Sequence, residues 1–249
     1  MIDFHTHVLH NIDDGAADLD TSVAMLEEAY ASGTKVVVVS PHYYPRLESG
    51  LEKFLEERDA RYTELKQACV GRAVPELRLA AEVNVCAQFS SFDRIKELCL
   101  EGTDYMLLEM PFVPWEEWMI ECVYNLTVKG IKPIMVHIDR YLHYPTAALA
   151  ALNELNPLYQ ISSEALLSHS YRKIVFDLFK SGKAHVLGSD MHNLRIRKNT
   201  LSQGYEQLRS RFGEDYTEYI EVNGNKILNN HKDIDTVIFN KAKKSRLFI

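Results

Sequence analysis

Met1-Ile2-Asp3-Phe4-His5-Thr6-His7 opens the chain, and Asp13-Asp14-Gly15 follows after a short interval. Read as a strand, the first stretch puts His5 and His7 on one face, because side chains along a strand repeat with a period of two. Two imidazoles so placed can share a cation. Neutral histidine nitrogen suits a transition metal, and a nearby carboxylate such as Asp14 adds charge and suits manganese, iron or zinc alike. Roughly half of isolated His-x-His pairs mean nothing of the kind, so the reading turns on how the other strands end.

They end in the same residue types. After the first strand, Asp20 is placed to cap a helix whose Val23, Leu26 and Tyr30 share a face, and Gly33 suits its C-terminal stop. Lys35 to Ser40 carries Val36-Val37-Val38-Val39, a β-branched run fit for a strand covered on both faces, with His42 just beyond it. A second helix opens at Ser49, with Leu51, Phe54, Leu55, Arg58, Tyr62 and Leu65 at helical spacing. Leu77 to Glu82, Tyr105 to Glu109, Pro133 to His137 and Ala184 to His192 are further apolar runs, each ending in a metal-competent residue. Tyr159 to Ser162 is a weaker strand without such an ending. Helical stretches separate most of the runs, notably 116–129, 171–180 and 198–211.

Alternating strands and helices imply a parallel sheet, and about seven strands in this length can close into a barrel. A barrel gathers its strand ends at one mouth, bringing together His5, His7, His42, Glu82, Glu109, His137, Asp190 and His192, with Asp14 from the first loop. An open doubly wound sheet scatters several of them along an edge, so the barrel fits the pattern better. At 249 residues, 46% apolar and 25% charged, the chain reads as a single domain over residues 1–249. Its net charge of −7 argues against general affinity for nucleic acid or anionic membranes. With no leader before the first strand and no apolar run long enough to span a bilayer, the sequence reads as cytoplasmic, without membrane insertion. Cys69, Cys86, Cys99 and Cys122 show no Cys-x-x-Cys spacing and read as reduced and structural. Cysteine-dependent tyrosine phosphatases need an arginine six residues beyond the nucleophile, and those positions hold Pro75, Phe92, Tyr105 and Val128.

On these motifs, together with Val136-His137-Ile138-Asp139-Arg140-Tyr141 and Gly188-Ser189-Asp190-Met191-His192-Asn193-Leu194, the chain resembles the PHP (polymerase and histidinol phosphatase) superfamily. Within it, the chain is most similar to bacterial capsular and exopolysaccharide tyrosine phosphatases. The resemblance implies a distorted (β/α)7 TIM-like barrel with three divalent metal ions. The first would take His5, His7, Glu82 and Asp190, the second Glu82, Glu109 and His137, and the third Asp14, His42 and His192. Manganese is common in these phosphatases, and iron or zinc suits the same ligands. Arg140 and Arg197 match phosphate-binding arginines, whose forks grip two oxygens at once. The implied reaction is hydrolysis of phosphotyrosine by a metal-bridging hydroxide, on a phosphorylated bacterial tyrosine kinase with a tyrosine-rich tail that controls polysaccharide export. A phenol, with a pKa of about 10, leaves with less help from an acid than an alkyl alcohol does. Asp139 and His10 stand near the motifs as proton donors, and water is the alternative.

Two other functions compete. A small-molecule phosphoesterase of the histidinol-phosphatase type would use the same metals, and a catalytically idle module would only bind the phosphorylated kinase. Asp139, where the family commonly has glutamate, and the loosely matching Gln160–Glu164 segment bear on substrate choice. His143, His169, His185 and His231 match no motif and read as structural. Tyr43-Tyr44-Pro45-Arg46 and the segment from Pro111 to Trp118 follow ligands directly and are placed either to line the mouth or to pack as ordinary loops. The basic residues Lys241, Lys243, Lys244 and Arg246 read as a solvated terminal segment.

Overall fold

The opening strand, β1 (Ile2–Thr6), leads through α1 (Leu19–Ala31) into the valine run, β2 (Val36–Val39), which lies parallel beside it. The computed structural model describes residues 1–45, 49–141 and 146–235. Arg46, His143, Lys241, Lys243, Lys244 and Arg246 lie outside the described residues. Asp18, not Asp20, caps α1: its backbone is extended and its side chain accepts the Thr21 N–H at 2.7 Å, whereas Asp20 is already inside the first turn. Tyr30 turns outward, 40% exposed, with Lys35 over its ring. Gly33 ends the helix at a φ of +96°, a conformation that costs glycine little.

The expected third strand proves to be two. β3 (His42–Tyr43) follows β2 across Ser40-Pro41, α2 (Ser49–Ala68) follows, and Leu77 to Glu82 divides into β4 (Glu76–Leu79) and β5 (Glu82–Asn84) around Ala80-Ala81. β2 pairs with β4 and β3 with β5, and the register does not slip across the break: Val39 faces Leu79 and His42 faces Glu82. Pro41 has no N–H to give the ladder, which explains the interruption. β2–β3 and β4–β5 therefore act as two interrupted strands.

The circuit continues through β6 (Tyr105–Glu109), α3 (Glu117–Val128), β7 (Lys132–Met135), α4 (Thr146–Glu154), β8 (Leu158–Ser162), α5 (Ser163–Leu167), α6 (Arg172–Lys180) and β9 (Val186–Gly188), all strands parallel to their neighbours. The ring closes where Thr6 bridges Met191, with the Asp190 N–H donating to His5 O at 2.8 Å and the His7 N–H to Met191 O at 2.9 Å. Counting each interrupted strand once, the described residues hold seven strands, which make a distorted (β/α)7 barrel, as expected. Phe4, Val38, Leu107, Ile134 and Val186 meet in one buried cluster although they come from five strands, which places that cluster in the barrel interior.

Two further helices, α7 (Leu201–Phe212) and α8 (Glu214–Leu228), follow β9. The span 214–228 is a helix the sequence reading does not include, with Tyr216, Tyr219, Ile220, Asn223, Gly224 and Ile227 buried at helical spacing. Gly224 brings α8 against β1: a Cβ there would lie 2.8 Å from the Phe4 ring. No helix among the described residues is long and apolar enough to cross a membrane.

Candidate metal centre

Plain alternation would send Phe4 and His5 to opposite sides of β1, yet Phe4 joins the interior cluster while His5 joins the mouth above it. A register shift against β2 between Asp3 and Thr6 accounts for this, since a bulge re-aims the side chains it contains. His7 lies one residue beyond the strand, and the two imidazoles still meet, Nε2 to Nε2, at 3.0 Å.

Glu82 is the hub. Its Oε1 is 2.8 Å from His137 Nε2, and its Oε2 is 2.8 Å from His42 Nδ1, 3.1 Å from His5 Nε2 and 3.2 Å from His7 Nε2. Asp190 Oδ1 stands 3.4 Å from His7 Nε2 and 3.6 Å from His192 Nδ1, and Asp14 Oδ1 3.3 Å from His192 Nε2 and 3.4 Å from His42 Nε2. Glu109 Oε1 is 3.5 Å from His137 Nε2. All nine expected donors therefore converge. They fall into four overlapping groups able to hold a metal: His7, Asp14, His42 and His192; His5, His7 and Asp190; His5, Glu82 and His137; and His42, Glu82 and Glu109. His137 and Asp190, neither of them glycine, take positive φ, 33° and 54°, in the left-handed region that favours glycine. Such strain persists where the surroundings dictate it, commonly at functional sites.

The donor set fits metal ions on its own chemistry. The close contacts of Glu82 Oε2 with His42 Nδ1 and of Asp14 Oδ1 with His192 Nε2 lack hydrogen-bond geometry, so His42 Nδ1, His192 Nε2 and Glu82 Oε2 are buried as unsatisfied polar atoms, a costly arrangement unless something else satisfies them. Five imidazoles and four carboxylates within reach of one another suit divalent transition metals. Burial opposes the charge on Glu82 and Asp190, but His5, with His137 and His42 for Glu82 and with His7 and Arg140 for Asp190, outweighs it and holds both carboxyls well below their ordinary range. Burial likewise resists protonation of His5 and His7, and the surrounding carboxylates raise both pKa values all the same. Burial pushes His137 and His192 down to about 4, and burial with the Glu82 charge pushes Glu109 up.

Three residues that hold the donors in place were not singled out from the sequence. Asp13 Oδ2 sits 2.8 Å from His7 Nδ1 and also accepts the His42 N–H at 2.9 Å. Gln160 Oε1 accepts the His137 N–H at 2.7 Å and lies 3.3 Å from His5 Nδ1. Asn84 donates to Glu109 Oε2 at 3.0 Å. Partners of this kind fix a ligand's tautomer and direction. Asp13 stands in the opening motif beside Asp14, and Gln160 in the middle of the weak strand β8 and in the loosely matching segment, positions that do not mark either as a partner of a donor.

Arg140 and Arg197 both reach the mouth, and both bind Asp190 Oδ2, Arg197 at 2.8 Å, with Arg197 Nη1 also 3.4 Å from Asp14 Oδ2. Each keeps about a third of its side chain exposed, 34% and 35%. The two proton-donor candidates are otherwise engaged: His10 Nε2 meets Glu64 Oε2 at 3.0 Å on α2, and buried Asp139, its pKa pushed up to about 6 by that burial, accepts the Ser162 N–H. His185, His169 and His231 lie in other contacts, His185 Nδ1 accepting the Tyr159 N–H. The four cysteines are free, and burial raises every thiol, Cys99 to about 12, which rules them out as thiolates at neutral pH. Tyr44 stacks on His42 with ring centres 5.2 Å apart, and Phe112 on His137 at 6.0 Å.

Residues 1–229 match the family model described as capsular polysaccharide synthesis, CpsB/CapC. The chain is 23% identical over 252 residues to the tyrosine-protein phosphatase CpsB of Streptococcus agalactiae, covering 93% of this chain and 99% of that one. It is 25% identical over 241 residues to the tyrosine-protein phosphatase YwqE of Bacillus subtilis, covering 92% of each. A solved structure described as that of YwqE from Bacillus subtilis and CpsB from Streptococcus pneumoniae, metal-dependent tyrosine phosphatases, shares the fold at a TM-score of 0.80 and 24% identity, over 96% of this chain and 98% of the other.

Proposed function

This chain belongs to the capsular polysaccharide synthesis family CpsB/CapC, and on that premise we propose that it is a metal-dependent protein-tyrosine phosphatase. The observation that carries the proposal is the convergence of nine nitrogen and carboxylate donors beside two arginines at one barrel mouth. We assign three ions, of which manganese is our first choice: one on His5, His7, Glu82 and Asp190, one on Glu82, Glu109 and His137, and one on Asp14, His42 and His192. Two donor groups carry the cores of the first and third sets, His5, His7 and Asp190, and Asp14, His42 and His192, while Glu82 falls in one group with His137 and in another with Glu109. When bound, such ions supply a water of lowered pKa and positive charge for the phosphoryl oxygens.

The chain's own groups would do the rest. Arg140 and Arg197, pinned by Asp190 yet a third exposed, offer N–H groups to the incoming phosphate oxygens and align it. Glu82 holds His42 and His137 on opposite oxygens and so keeps the donor array rigid. Water adds to phosphorus as the bond to the phenolic oxygen breaks, and the tyrosine phenol takes a proton from solvent, since His10 is paired with Glu64 and the Asp139 carboxyl is buried against the Ser162 N–H. The substrate we propose is the tyrosine-rich tail of a bacterial tyrosine kinase that governs capsule or exopolysaccharide synthesis, with the phosphatase acting as one domain in the cytoplasm, where its four free cysteines would stay reduced.

The test is phosphate release from a phosphotyrosine peptide, a phosphoserine peptide and histidinol phosphate, with manganese and then with chelator. Metal-dependent release confined to phosphotyrosine is expected. Turnover of histidinol phosphate alone would replace the substrate, and binding of the phosphotyrosine peptide without turnover in metal-loaded protein would leave a binding module.

A further inference from the structure

Two large aromatic rings stand exposed at the mouth, each lying over an imidazole of the donor set. Phe112 is 55% exposed and Tyr44 54%. Phe112 lies nearly parallel to the His137 ring, at 19°, and Tyr44 to the His42 ring, at 30°. His137 and His42 in turn contact the two oxygens of Glu82, so the aromatics flank the hub on either side. The Phe112 side is built up from below: its ring stacks on Tyr141 at 5.2 Å, Trp115 leans on the same tyrosine at 5.3 Å, and the buried Tyr141 hydroxyl donates to Met110 O at 2.6 Å.

Resting on the phosphatase reading above, we infer that Phe112 and Tyr44 are specificity-determining residues that receive the phenyl ring of the substrate and set a preference for aryl over alkyl phosphomonoesters. A phosphoryl group seated against Arg140 and Arg197 points its ester oxygen out of the mouth. In an aryl ester the next atoms form a flat ring, which meets the free edges and faces of the two aromatics in the offset or edge-on contacts that ring quadrupoles favour. In an alkyl ester the next atom is a single methylene, too small to reach both. The fixed stacking of the two aromatics on the donor imidazoles means that little rotamer freedom is lost when a ring arrives.

The test separates binding from turnover. Manganese-loaded wild type, Phe112→Leu, Tyr44→Leu and Tyr44→Phe are compared, with metal content checked by mass spectrometry, for calorimetric binding of phenylphosphonate and methylphosphonate. Wild type should favour the phenyl compound, and each leucine variant should lose about three- to tenfold of phenylphosphonate affinity while methylphosphonate affinity changes less than about twofold. Tyr44→Phe should keep the preference, because it keeps the ring. On a phosphotyrosine peptide the leucine variants should raise KM by the same factor with kcat nearly unchanged. Equal loss on both phosphonates, or none on either, overturns the aromatic rim. Preferential phenylphosphonate binding by a protein that fails to turn over phosphotyrosine keeps the rim and overturns the phosphatase.

Discussion

Asp13 Oδ2 lies 2.8 Å from Nδ1 of His7, so the Nε2 of that ring is left facing Glu82 and Asp190. Burial works against the Asp13 charge, but the contact with His7 and the N–H groups of His42 and Gly15 hold its pKa down to about 2. Asp13→Asn keeps the size and changes the partner: an amide can present its NH2 group to the ring and favour the wrong tautomer. Metal affinity should fall about 10- to 100-fold, and excess manganese should restore turnover. A competition titration against a coloured chelator reads it, and unchanged affinity would remove Asp13 from the centre.

Arg140 and Arg197 share one carboxylate oxygen of Asp190, which fixes both forks before a phosphate arrives. Lysine keeps the charge but cannot present two parallel N–H groups. Arg140→Lys should lower kcat/KM on a phosphotyrosine peptide about tenfold and Arg140→Met about 100-fold, with inhibition by inorganic phosphate weakening in step. Loss of turnover with phosphate inhibition intact would place the arginine elsewhere.

Gly188 closes β9 directly under the centre. A Cβ there would lie 2.6 Å from the Cβ of His5 and 2.8 Å from Gln160 Nε2. Gly188→Ala should cost about 1–3 kcal/mol of stability, as overpacking does. It should also weaken metal binding by displacing His5, whereas an alanine at exposed Gly71 should spare metal binding. Urea unfolding in chelator and metal titration separate the two effects.

His185 is buried at the start of β9, where its Nδ1 must be unprotonated to accept the Tyr159 N–H, and burial holds its pKa down to about 4. The folded value lies below the unfolded one of 6.5. The stabilising contribution is therefore complete above that unfolded value and is lost as the pH falls through 6.5 towards 4. Between about pH 7.5 and about pH 5 the wild type should lose about 2 kcal/mol more than His185→Gln, which does not titrate. Metal-free urea unfolding at the two pH values measures it, and parallel loss in both proteins would contradict it.

The clustering of the nine candidate donors was legible because eight of them sit at or near strand ends, which sequence marks by the apolar run and by the residue type itself, while Asp14, on the first loop, is marked only by its motif. Less was written about what aims them. Gln160 looks like any strand glutamine until the barrel closes and brings its amide to His5 and His137. The division of two strands at Ser40-Pro41 and Ala80-Ala81 is not legible in the sequence, because continuous apolar character says nothing of which ladder a residue joins. Helix α8 carried a readable period in Tyr216, Tyr219, Ile220, Asn223 and Ile227, but polar residues within the stretch obscured it. The sharing of Asp190 by both arginines is a matter of three-dimensional aim, which spacing alone does not encode.

The donors span from His5 to His192, and the backbone seam that joins His5 O to the Asp190 N–H ties the first strand to the last. On a ribosome, the earliest residues of the chain must therefore wait, their imidazoles exposed to cellular ions, until the nascent polypeptide has been made and released beyond residue 192. A chain stopped before residue 190 would carry His5, His7 and His42 without Asp190 and His192, which complete two of the donor groups. Until that seam forms, the donors of the first strand lack the partners carried by the last, so any metal site that uses both must wait for the ring to close.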